Sequence, residues 1–224
     1  MELVDLSHTL QKDMPIYPGD PAFQCCPALT VQESGVNVQS VRLGSHCGTH
    51  IDAPYHFFEN GDKIEELPLS NFLGPAVVVD VTGKAPRQRI VWADVVQFEQ
   101  RIRQGATEGS LLLFRTGWSR YWGTDEYFNH PFFDGEIAQR LVDIGIRVIG
   151  VDTLSPDETH LDDSGYTTMD FSVHKIVLGA GAIIAENLTN LEAIQHGDWM
   201  VSMAPLKIVG SDGSPVRALA WRTI

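Results

Sequence analysis

Residues 46 to 57 read HCGTHIDAPYHF, placing His46, His50, Asp52 and His56 within eleven positions of a chain that has eight histidines in 224 residues. Imidazole nitrogen and carboxylate oxygen suit a borderline divalent ion, Zn²⁺ first and also Mn²⁺ or Fe²⁺. Three protein ligands leave one position on such an ion open. Water held there is acidified toward a pKa of about 7 and becomes a nucleophile at neutral pH. The expected chemistry is metal-assisted hydrolysis, weighed against a purely structural histidine patch. His8, His130, His160 and His196 lack close histidine neighbours and are read as ordinary core or surface residues. Cys47 has no CxxC partner, so it is read as structural rather than as a ligand.

The backbone must fold these side chains together. Gly48 and Pro54 exclude a helix through the cluster. In an extended chain, residues at even offsets share a face, so all four groups could look into one cavity. Full extension would still hold His46 roughly 13 Å from His50. The chain must therefore bend at Cys47-Gly48-Thr49, and glycine is the residue that permits it.

Around this segment, the short Val/Ile/Leu-rich runs 76-AVVVDV-81, 111-LLLF-114, 146-IRVIGVD-152 and 182-AIIAE-186 read as strands buried on both faces. Amphipathic helices are expected over 92–104, with Gly105 as its stop, and over 135–144, with Gly145 as its stop. A shorter helix is expected over 171–179, ended by Gly179-Ala180-Gly181. At the C-terminal end, SDGSP between two apolar runs signals a hairpin with Asp-Gly at its tip. Strands at both ends with helices between them predict one α/β domain over residues 1–224, with a mixed β-sheet and flanking helices.

The formal charge of -13, from 29 acidic and 16 basic residues, comes without a block of Lys/Arg, which argues against a nucleic-acid partner. No apolar run is long enough to span a bilayer, and the first residues lack the basic and apolar regions of a signal peptide. A cytoplasmic location with no membrane partner is expected. Three cysteines, two of them adjacent, do not read as a disulfide framework.

HCGTHIDAPYHF resembles the HxGTHxDxPxH signature of the cyclase family of metal-dependent hydrolases, best known for bacterial kynurenine formamidase activity. The likeness continues through 5-DLSHTL-10, 15-PIYPGDPAF-23, 74-GPAVVVDV-81, 115-RTGW-118, 150-GVDTLSPD-157 and 204-APLKIVGSDGSPVRALA-220. The resemblance implies that His46, His50 and Asp52 hold one metal, and that Asp52 bridges to a second metal completed by His174 and Glu186. It makes His56 the catalytic residue. It further implies one or two divalent ions per subunit, a swivelling β/β/α fold, and a homodimer or homotetramer. Where the formamidases carry a substrate-packing Trp before PGD, this chain has Tyr17, the candidate substrate-binding residue; Phe23 and Trp118 are further candidates for an aromatic pocket.

The favoured function is hydrolysis of an amide-type C–N bond in a small molecule, with N-formylkynurenine the first candidate. The alternatives are opening of a cyclic amide, imide or lactone such as isatin, and a non-catalytic metal-binding or ligand-binding module. No GxSxG elbow supports a serine nucleophile.

Overall fold

The computed structural model describes residues 1–160 and 170–223. In chain order the strands are β1 (Glu2–Asp5), β2 (Gln24–Leu29), β3 (Val38–Arg42), β4 (His50–Asp52), β5 (Leu73–Asp80), β6 (Arg89–Ile90), β7 (Leu111–Arg115), β8 (Phe132–Phe133), β9 (Val148–Val151), β10 (Ile183–Glu186), β11 (Met200–Ser202), β12 (Gly213–Pro215) and β13 (Leu219–Arg222). The α-helices are α1 (Val31–Ser34), α2 (Trp92–Val95), α3 (Glu99–Glu108), α4 (Gly135–Ile144) and α5 (Ser172–Gly179).

Nine strands make one mixed sheet in the order β1-β13-β11-β5-β7-β9-β10-β4-β12. Its centre, β5-β7-β9-β10, is parallel and corresponds to the four runs expected to be buried on both faces. Alternation along the strands divides them between two cores: Leu111 and Leu113 enter one, Leu112 and Phe114 the other. Helices α3, α4 and α5 cover the second core through Ile102, Ile137, Leu141 and Val177. On the opposite face the sheet curls, so that Val201 and Ala220 of its antiparallel flank join Leu111, Leu113 and Ile183 in the first core. Between them, the parallel centre and antiparallel flanks give the mixed α/β fold.

Two local expectations are corrected. The helix read over 92–104 is broken into α2, a 3-10 turn at Val96–Phe98, and α3, which runs past Gly105 to Glu108. Gly109, with φ 69°, is the true left-handed cap. Gly105 instead allows close packing, since a Cβ there would lie 2.9 Å from Val77 Cγ2 on β5. The second correction concerns SDGSP. Strands β11 and β13 do pair antiparallel, but Asp-Gly is not the tip of a tight turn. Gly213–Pro215 forms β12, which pairs with β4 at the far edge of the sheet.

Candidate metal centre

Strand β4 lies between β10 and β12, with His50 opposite Glu186 and Pro215, and Asp52 opposite Ile184 and Gly213. Because successive side chains alternate, Ile51 enters the first core while His50, Asp52 and Glu186 share the other face. Glu186 is the last residue of β10, at the carboxyl end of the parallel strands, where α/β sheets place their ligands. Helix α5 brings buried His174 over that face.

The expected bend is present. Gly48 has φ +66°, a conformation that favours glycine, and a Cβ there would meet Leu10 Cδ2, so that side chain would have to move. The turn brings the His46 and His50 rings to a centroid separation of 5.1 Å. Past Pro54, a 3-10 turn sets the His56 ring 3.9 Å from that of His46.

All six polar side chains singled out from the sequence thus converge. His46 Nδ1 lies 2.7 Å from Asp52 Oδ1; His50 Nε2 lies 3.2 Å from the same oxygen and 3.3 Å from Glu186 Oε2. His174 Nε2 lies 3.5 Å from Asp52 Oδ2 and 3.2 Å from Glu186 Oε1. Three donor sets result among the described residues: His46/His50/Asp52 and Asp52/His174/Glu186, which share Asp52, and the more exposed His46/His56/Asp212.

The donors fit a divalent ion. Bond lengths of 2.0–2.2 Å place neighbouring ligand atoms of a tetrahedral ion about 3.3–3.6 Å apart, close to most of the separations above. His50 Nε2, Asp52 Oδ2 and Glu186 Oε1 are buried and lack an aligned hydrogen-bond partner. Buried polar atoms are rarely left so, unless an ion or water belongs among them.

The opposite nitrogens of the three histidines are already engaged. His50 Nδ1 lies 2.8 Å from the Gly48 carbonyl, His174 Nδ1 2.6 Å from Asp157 Oδ2, and His46 Nε2 2.9 Å from Asp212 Oδ2. Such outer partners fix tautomer and ring orientation and raise ligand basicity. Asp157 also accepts from the backbone N–H groups of Val173 and His174, capping α5. Asn187, in a left-handed conformation at φ 57°, donates from Nδ2 to the Gly48 carbonyl while its Oδ1 accepts from the Tyr127 hydroxyl.

Electrostatics reflect two carboxylates buried among imidazoles. Burial alone would push His46 down, but the Asp52 charge and hydrogen bonds to Asp212 and Asp52 lift it to about 9. His50 and His174 are likewise raised against their burial, His50 chiefly by the Asp52 charge and His174 by its hydrogen bond to Asp157 and by the neighbouring Asp52 and Glu186 carboxylates. Asp52, despite burial, is held well below the usual carboxylate range by the charges of His50 and His46. Hydrogen bonds from His46 and His56 do the same for Asp212. Positive charge is what this cluster stabilises.

A cavity of about 420 Å³ opens onto the donors, walled by Tyr17, Phe57 and Phe171. Tyr17 and Phe171 stand 6.3 Å apart, and Phe57 and Phe171 5.3 Å, between ring centroids. Trp118 is instead buried beside Tyr127 and Leu154, and Phe23 borders a separate hollow with Cys25 and Cys26. Of the other histidines, His8 stacks on Trp122, and His130 is buried, with Nδ1 near the Pro131 carbonyl and Nε2 near Thr159 Oγ1. Cys47 is buried and unpaired.

Sequence reasoning missed Asp157, Asn187, Asp212, Phe57 and Phe171. Asp157 and Asn187 gave a signal by following SP and Glu186, but Asp212 was hidden because Asp-Gly also spells a turn.

A family model described as "Putative cyclase" matches residues 4–158. The kynurenine formamidase of Bacillus cytotoxicus is 34% identical over 221 residues, covering 97% of this chain and 96% of that protein. Among solved structures, isatin hydrolase A from Ralstonia solanacearum superposes with a TM-score of 0.83 at 26% identity, covering 98% of this chain and 91% of that one. A "predicted metal-dependent hydrolase" from Bacillus stearothermophilus gives 0.75 at 27% identity, covering 98% and 97%.

Proposed function

The chain belongs to the cyclase family, and from that premise we propose that it is a metal-dependent hydrolase of amide-type C–N bonds, with N-formylkynurenine the first candidate substrate. The observation that carries this reading is the convergence of buried, partnerless donor atoms on β4 and β10, with a further histidine beside them facing the cavity. Divalent metal, zinc first and manganese second, is assigned to His46, His50, Asp52, His174 and Glu186, where it supplies a Lewis acid for the carbonyl and lowers the pKa of water.

His56 is the imidazole outside both sets that share Asp52. Its Nδ1 stands 3.4 Å from Asp212 Oδ2, and its side chain is 28% exposed. A carboxylate beside Nδ1 favours the tautomer with its hydrogen on Nδ1 and the lone pair on Nε2. Nε2 takes a proton from the attacking water and returns it to the departing nitrogen as the C–N bond breaks, acting first as base and then as acid. Formamide and water thus become formate, the amine and one proton. Tyr17, Phe57 and Phe171 hold an aryl ring and exclude bulk water.

The similarity to isatin hydrolase A favours a second reading, opening of a cyclic amide by attack at the same kind of carbonyl. Metal-loaded protein assayed side by side on N-formylkynurenine, isatin, formanilide and a small lactone separates the two. Highest kcat/KM on a formamide supports the first reading, highest on isatin the second, and no turnover of any overturns both.

A cytoplasmic location is proposed, supported by the free thiols of Cys25, Cys26 and Cys47; among the described residues, no helix is long and apolar enough to cross a membrane. A homodimer or homotetramer is the proposed assembly. It is supported by the β2–β3 ribbon, which exposes Leu29, Val38 and Val41, and sedimentation velocity tests it.

A further inference from the structure

The cavity is chemically lopsided. Its lining includes the acidic groups Asp20, Asp52 and Glu186, and Lys175 is the one lysine or arginine among the described lining residues. Lys175 follows His174 on α5, so the helix turns its side chain about 100° away from the metal donors. His174 is buried while Lys175 is exposed and lines the same cavity, which puts Lys175 at its rim. Phe57 and Phe171 line the same cavity, with ring centroids 5.3 Å apart.

From this arrangement we infer that Lys175 determines specificity by pairing with a carboxylate on the substrate, so that the preferred class is an aryl amide bearing a carboxylate on its side chain. The inference rests on the hydrolase reading given above. Asp52 and Glu186 are taken up by the donor sets, so Lys175 is the lining group left to offer a substrate carboxylate a charged hydrogen-bond donor. That carboxylate is therefore paired with Lys175, the aryl ring packs against the two phenylalanine rings, and the amide faces the donors. N-formylkynurenine has such a carboxylate; isatin and formanilide do not.

The test compares wild type with Lys175→Ala and Lys175→Arg on N-formyl-L-kynurenine and its methyl ester, which differ in that carboxylate. Lys175→Ala is expected to lower the acid-to-ester ratio of kcat/KM about five- to tenfold, through KM, and Lys175→Arg to restore most of it. An unchanged ratio overturns the pairing. Calorimetric binding of L-kynurenine gives a readout independent of turnover. A dissociation constant raised about five- to tenfold in Lys175→Ala supports the pairing even if no substrate is hydrolysed, in which case only the hydrolase reading falls; equal constants overturn the pairing whatever the turnover.

Discussion

His56 differs from the other cluster residues in its exposure and in having Asp212 rather than Asp52 or Glu186 as its carboxylate neighbour. A group that moves protons and holds no ion can be removed without emptying the centre. His56→Ala is therefore expected to keep wild-type metal content by elemental analysis while kcat falls about 10²- to 10⁴-fold, the usual range for losing a general acid–base. Full activity in that variant would remove His56 from the proton-transfer role. Asp212 links the two tasks, since one of its oxygens serves both His46 and His56. At this scale the sequence was most legible, because HxGTHxDxPxH concentrates donors whose chemistry is set by residue type. Asp157 and Asp212 were harder to see because an outer partner is defined by whom it touches, across 17 and 166 positions respectively.

Among the elements, β12 is the piece that local reasoning misjudged. Asp212-Gly213 has turn chemistry, yet the segment lies along β4 with the Gly213 Cα against the His46 ring. A Cβ at Gly213 would lie 2.8 Å from both His46 Cε1 and the Ile51 carbonyl oxygen. Gly213→Ala is accordingly expected to displace His46 and weaken metal binding about tenfold or more in chelator competition, with the circular dichroism spectrum retained. Unchanged metal affinity would mean that this close approach does not position the ligand. The same distinction explains Gly105, where a glycine in a helical pattern served packing against β5 rather than a stop. Both glycines look like turn signals in sequence, and only the neighbouring element reveals their purpose.

At the scale of the molecule, the centre joins elements far apart in the chain: the His46 turn, β4, α5 and β10. An ion bound there stabilises only the folded state, by about 2.7 kcal/mol at a hundredfold excess over Kd. For a chain of 224 residues that corresponds to a Tm lower by about 5–10 °C after chelation and dialysis. Calorimetric scans before and after Zn²⁺ is returned check it, and coincident transitions would show that the ion contributes nothing to holding these elements together. The β2–β3 ribbon stands apart from this arrangement as a two-stranded unit exposed along both strands.

The sequence by itself determined the donor types, the glycine bend before β4, the four buried parallel strands and the glycine that ends α4, because each follows from residue chemistry or local periodicity. The family resemblance implied that Asp52 bridges two donor sets, but local chemistry alone did not produce that arrangement. That required β10 and α5 to meet β4 from more than a hundred residues away. Tertiary structure alone decided the outer carboxylates, the conversion of a turn-like Asp-Gly into an edge strand, and the rim position of Lys175. Each depends on pairing between distant segments, where burial and close contact override local preference.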